Sequence, residues 1–210
     1  MGIVIKAITI PFSLFGIAFG SLIASMVFLS FPLLGNEKMQ PTKAEMRTVN
    51  LETAMVVRSI QHLSWKSGNL PPSGEEVVVL VVGYDNCHFR ERLSYLIQES
   101  EATIEGRTIK IESCESLDEA SKVVRQENRI MFMILLRSVS KQWEASEFSN
   151  RDGLVVYGQG SSYLRRGLDM SSVVQNNRLR LSLNLRKLNK ANVGVDKSLL
   201  STKQLIAIGG

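Results

Sequence analysis

Two cysteines and two histidines hold most of the nucleophilic and metal-binding chemistry open to this chain: Cys87, Cys114, His62 and His88. Cys87 and His88 are adjacent, which invites a thiol-and-base reading. Neighbouring residues at a helix start point in different directions, so they make a poor nucleophile–base pair. No Asp/His/Ser constellation and no metal-ligand spacing accompanies them, so neither enzyme activity, a metal nor a cofactor is expected. His88 reads as solvent-exposed, and His62 as partly packed beside an apolar helical stripe. The cysteines have a second chemistry. Both fall just past the C-terminal ends of neighbouring expected strands, where a Cys87–Cys114 disulfide is geometrically plausible. It would close a loop of about 27 residues and contribute on the order of 3 kcal/mol in an exported domain. The other reading is two small, half-buried thiols in a reducing compartment.

Glycines supply the next candidate. "GYDN" (residues 83–86) and "YGQGSS" (residues 157–162) follow expected strands, and open α/β sheets bind ligands at strand ends. Asp85, Gly158 and Gly160, with Arg165 just beyond, make a candidate small-molecule site, the glycines offering backbone N–H groups to an anion. Tight turns need glycine in any case, and a lone G-x-G is a weak signal. Trp65 reads as helix-end core, or else as a partner-binding anchor, since tryptophan is enriched in interface hot spots. "NNRLRLSLNL" (residues 176–185) alternates: Leu179, Leu181, Leu183 and Leu185 share one side. Arg178 and Arg180, with Arg186 beyond, share the other. The leucines belong to a core. The arginines face water, or meet an acidic patch on a partner or on a dimer mate, where a guanidinium can pair bidentately.

The elements that position these residues follow from composition and period. Residues 7–35 are 29 residues without a charge. About 20 apolar residues span a bilayer core. Cleavable signals have shorter apolar regions, roughly 7–15 residues. Residues 1–35 therefore read as an uncleaved membrane anchor, with a cleaved export signal as the alternative. Residues 36–43 read as a linker and 44–210 as one domain. The net charge is +5 but uneven. Glu91 to Glu119 holds eight acidic residues against three basic, and Arg151 to Lys190 eight basic against two acidic. A dipolar surface follows, and nucleic acid is not the favoured partner.

Thr42 and Glu45 form a T-x-x-E capping box. Val49, Thr53, Val56, Ile60 and Leu63 then recur at helical spacing up to Trp65. "VVVLVVG" (77–83), "TIKIESC" (108–114), "IMFMILL" (130–136) and "GLVVYG" (153–158) read as strands, with helices between them, the last a weak one over 141–148. This alternation predicts an α/β fold with a mostly parallel sheet and helices on both faces. Val173 and Val174, an Asn turn, and Leu179 to Leu185 predict a C-terminal antiparallel hairpin. Ser198 to Ile208 reads as a closing helix.

The order of these pieces resembles the YfiR/HmsC family. "IQHLSWKSGNLPP" has its helix-ending tryptophan and proline turn, "VVVLVVGYDN" its strand and Gly-x-Asp turn, and "EGRTIKIESCESLDEA" its G-R-x-I-x-I strand. "NNRLRLSLNLRKLNKANVGVDKSLL" carries the C-terminal signature, with Arg178, Asn184, Leu185, Ser198 and Leu200 in register. The resemblance spans about residues 44–206. Asn177, Leu181 and Asn192 stand where that family has glycine, an aromatic and glycine. The resemblance implies a non-enzymatic regulator in the periplasm of a Gram-negative bacterium, here tethered to the inner membrane by residues 7–35. Its partner would be the periplasmic domain of a membrane diguanylate cyclase, which it would hold inactive, lowering cyclic-di-GMP and biofilm formation. A homodimer stays open.

Overall fold

A computed structural model describes residues 41–139, 142–143, 148, 151–160, 166–203 and 205–208. The expected anchor or signal, most of the linker, most of the expected 141–148 helix and Arg165 lie outside the described residues. Among the described residues no helix is long and apolar enough to cross a membrane.

Helix α1, Lys43–His62, starts where the capping box predicts. Thr42 Oγ1 accepts from Glu45 N at 3.2 Å, and Glu45 Oε2 accepts from Thr42 N at 2.8 Å. The helix stops three residues short of Trp65. Leu63–Trp65 is strand β1, paired antiparallel with β8 (Val193–Val195). Helical spacing could not reveal that the last turn is claimed by a distant strand. Trp65 is buried, and its indole N–H donates to Gly153 O at 2.7 Å.

Strand β2 (Val77–Val82) is buried on both faces, as its unbroken valine run predicts. Helix α2 (Phe89–Glu99) leads to β3 (Ile109–Cys114), and α3 (Leu117–Gln126) to β4 (Ile130–Leu135). Strand β5 (Val155–Gln159) follows, then the hairpin of β6 (Met170–Gln175) and β7 (Arg178–Asn184). Asn176 and Asn177 make its two-residue turn with φ of 51° and 57°, the left-handed values that a type I′ hairpin needs and asparagine tolerates. Short helices α4 (Leu185–Lys190) and α5 (Lys197–Leu200) flank β8. The expected closing helix is corrected here: it lasts four residues, and Leu205–Ile208 is strand β9, parallel to β7.

The main sheet runs β3-β2-β4-β5-β6-β7-β9. The first five strands are parallel, and β7 is antiparallel to β6. Val77, Val79 and Val81 pack with α1 and α2 on one face. Val78, Leu80 and Val82 pack with α3, Trp143 and Phe148 on the other. The chain steps from β2 outward to β3, then back across β2 to β4. The loops after β2 and β4 therefore diverge to opposite faces, which makes their ends a topological switch point.

Asp169, just before β6, joins three strands. Its carboxylate accepts from Val156 N at 2.8 Å, and its carbonyl from Asn184 N at 2.8 Å. Burial raises its carboxyl to about 6, against smaller opposing effects of the Val156 N–H and Lys187. The folded chain therefore holds this proton more tightly than the unfolded chain, whose value is 3.8. Its contribution favours folding at acid pH and is lost as pH rises through 6. Asp169→Asn should unfold at a higher temperature than the parent at pH 7.5, and the gap should close at pH 4. A gap of equal size at both values would refute the assignment.

Candidate functional site

At the switch point lies a cleft of about 350 Å³. Its walls are the N-terminal half of α1, the β2–α2 loop and the residues after β4. Gly83 starts the β2–α2 loop at φ 112°, and a Cβ there would come 2.5 Å from Ser138 Oγ. That close approach lets Ser138 Oγ accept from Tyr84 N at 2.8 Å, pinning the two loops together.

The floor is Glu52, which is 1% exposed. Its carboxylate accepts from Ser172 Oγ at 2.6 Å and from Gln159 Nε2 at 2.9 Å. Arg137 reaches it once, Nη2 to Oε1 at 3.4 Å, with the guanidinium side chain 59% exposed. The Arg137 backbone N–H donates to Gln159 Oε1 at 3.3 Å. Four segments thus converge on one buried charge. Beside it the Tyr157 hydroxyl is wholly buried, and burial, with the Glu52 charge next, raises its titration.

The sequence pointed to this place but to other side chains. Asp85 does line the cleft, yet its carboxylate caps α2, accepting from Phe89 N and Arg90 N at 2.8 Å each and from Cys87 N at 3.3 Å. Gly158 is a ladder residue between Leu135 and Ser171, so its backbone is taken by the sheet. Gly160 N donates to Ser172 Oγ at 3.2 Å. Neither glycine has its N–H free for an anion, which corrects that expectation. Glu52, Arg137, Gln159 and Ser172 were missed. Glu52 could have been found: it sits three residues after Val49 and four before Val56, on the buried stripe of α1.

The expected disulfide is also corrected. Cys87 and Cys114 are both free. Cys87 packs against the α1–α2 core and Cys114 within the α3 core, so the two point to opposite faces of the sheet. Burial raises the Cys87 thiol, aided by Glu45 and Asp85, and burial pushes Cys114 up to about 12. Both are poor thiolates at neutral pH. Trp65 is core with a satisfied indole, so a partner-binding role is not available to its buried ring. Arg186 stands on α4, not on the strand with Arg178 and Arg180. His88 is exposed, with 69% of its side chain accessible, and His62 Nδ1 lies 3.1 Å from Ser198 Oγ.

Arg178 and Arg180 border a different feature, a groove of about 570 Å³ between α1 and the β6–β7 hairpin. Arg58 and Lys203 complete its cationic rim, and Leu51, Ala54, Met55 and Leu179 supply apolar surface. The α1 residues among them, Leu51, Ala54, Met55 and Arg58, recur at spacings of three and four, a stripe beside the core stripe. One helix thus has the cleft on one side and the groove on another.

A family profile described as YfiR/HmsC-like matches residues 49–202. The chain belongs to the YfiR/HmsC-like family. No curated protein matches the chain. Among solved structures it is similar to an ABC domain in complex with L-Trp from Streptococcus pneumonia, at 12% identity over 71% of this chain, TM-score 0.47. It is similar to a conserved domain protein from Vibrio cholerae at 11% over 76%, TM-score 0.44. A LacI family transcriptional regulator from Bifidobacterium animalis subsp. lactis matches at 13% over 60%, TM-score 0.37. The chain spans 59%, 59% and 48% of the length of these three proteins, in that order.

Proposed function

We propose that this YfiR/HmsC-like protein is a periplasmic regulator that binds the sensing domain of an inner-membrane diguanylate cyclase and holds the cyclase inactive. The observation that supports binding over chemistry is the state of the strand-end cleft. Its buried carboxylate is engaged by Ser172, Gln159 and Arg137, and Asp85 is spent on capping α2. Groups tied to one another in this way stabilise a fold and are not poised to transfer protons to a substrate. Family membership supports the choice of partner. Retention of residues 7–35 as an anchor would raise the regulator's local concentration beside a membrane target without adding a contact.

A second reading, a sensor for a small polar ligand, is favoured by the open volume of the cleft and the half-free guanidinium of Arg137. The two separate in one experiment. Deleting the gene should raise cyclic-di-GMP and surface attachment, with restoration by the wild-type gene. Unchanged cyclic-di-GMP on deletion would remove the repressor reading and leave the sensor reading standing.

A further inference from the structure

The rim of the α1–hairpin groove brings together Arg58 from α1, Arg178 and Arg180 from β7, and Lys203 from the turn before β9. Among the described residues no carboxylate lines the groove. Among the described residues, none of these four side chains makes an ion pair. Arg180 is half-buried and donates from Nη1 to Lys203 O at 3.2 Å, while its Nε is buried with no hydrogen-bond partner. Gathering like charges around a concavity costs free energy in the isolated chain, and a buried guanidinium N–H without an acceptor costs more. An anionic occupant offsets both.

The surface between the cations narrows the choice. Leu51 is 49% exposed, and Met55 and Leu179 are half-buried beside it. A bilayer presents headgroups to a protein surface and would leave apolar residues inside a concave groove unused. A peptide segment can reach them with one side chain while its carboxylates meet the rim.

We propose that this groove is the docking site for an acidic segment of the partner protein, with an apolar side chain seated on Leu51, Met55 and Leu179 and flanking carboxylates paired with Arg58, Arg178, Arg180 and Lys203. The inference rests on the repressor reading and specifies where and by what chemistry the cyclase is gripped. Electrostatic complementarity of this kind speeds association and weakens with salt.

The test uses the full-length protein and the full-length diguanylate cyclase in nanodiscs, with binding followed at 50 and 300 mM NaCl. Wild-type binding should weaken with salt. Arg58→Glu, Arg178→Glu, Lys203→Glu and Leu51→Asp should each weaken it about tenfold or more. Arg125→Glu, on α3 against the opposite face of the sheet, should not change it. All five variants should unfold at the wild-type temperature, which separates lost docking from lost folding. Tight cyclase binding that survives Arg58→Glu/Arg178→Glu/Lys203→Glu together would overturn the groove while leaving the repressor reading intact. No binding by the wild type would overturn both. Two further arms name the competing occupants. Loss of binding to phosphatidylglycerol vesicles, with cyclase binding unchanged, would assign the groove to the membrane. A wild-type dimer that the triple variant converts to monomer, again with cyclase binding unchanged, would assign it to a second copy, whose acidic residues Glu91, Glu115 and Glu119 line a cleft beside the ends of β2 and β3.

Discussion

Leu183→Asp should leave the domain without a cooperative unfolding transition at 25 °C. Leu183 is 0% exposed, faces the α1–α2 core, and lies opposite Met170 on β6 and Ala207 on β9. Removing its side chain alone costs about 2–5 kcal/mol. Placing a carboxylate there adds the cost of an unpaired buried charge, several kcal/mol more, or forces protonation. Together these approach the whole stability of a domain, about 5–15 kcal/mol. Leu183→Ala should fold and show a urea midpoint well below wild type. Arg180→Glu, on the opposite side of the same strand, gives up one hydrogen bond to Lys203 O, worth about 1 kcal/mol, and should keep its fold. Circular dichroism in urea reads all three. A wild-type midpoint for Leu183→Asp would show that this leucine is not where β7 meets the core.

The parallel part of the sheet was legible because its signal is local. Six consecutive apolar residues in β2 and again in β4 admit burial on both faces and little else. The capping box of α1 and the Asn-Asn hairpin were legible for the same reason: each is made by residues within a few positions of one another. What failed depends on a partner far along the chain. Leu63–Trp65 leaves α1 because Val193–Val195 pairs with it, with Ser64 opposite Gly194, 130 residues further along the chain. Residues 205–208 look helical in isolation and become a strand because β7 offers an open edge. Alternation in β7 suggested one wet face, yet Ser182 is 0% exposed, since β9 extends the sheet past it.

The site divides along the same line. Its place was readable, because strand ends at a switch point follow from topology. Its side chains, Glu52 on the buried stripe of α1 excepted, were not. Asp85 was singled out for its turn, and the turn uses it up as a helix cap. Cys87 and Cys114 were paired from their positions along neighbouring strand ends, but which face of the sheet each side chain enters depends on the whole loop. Glu52 was passed over because an acidic residue on a helix is normally solvated. Its burial is decided by Gln159 and Ser172, 107 and 120 residues further along.

That buried carboxylate carries the second large effect. Glu52→Ala should destabilise the domain by about 3–5 kcal/mol, since it strands two buried donors and opens a cavity. Ser172 Oγ and Gln159 Nε2 lose acceptors at 2.6 and 2.9 Å. Arg137 loses only a 3.4 Å contact from a side chain that is 59% exposed, so its share is small, and Arg137→Ala should cost under about 1 kcal/mol. Glu52→Gln keeps one acceptor oxygen but turns an amide NH₂ toward a donor, so it should fall between alanine and wild type. The network also predicts non-additivity. Once Glu52 is gone, Ser172→Ala removes a hydroxyl that already lacks its partner, so the double variant should be more stable than the sum of the singles by about 1–3 kcal/mol. Urea titrations of the wild type, both singles and the double give that coupling directly. Additivity within about 0.5 kcal/mol would mean that Glu52 and Ser172 stabilise the fold independently, and that the floor of the cleft is not a single polar unit.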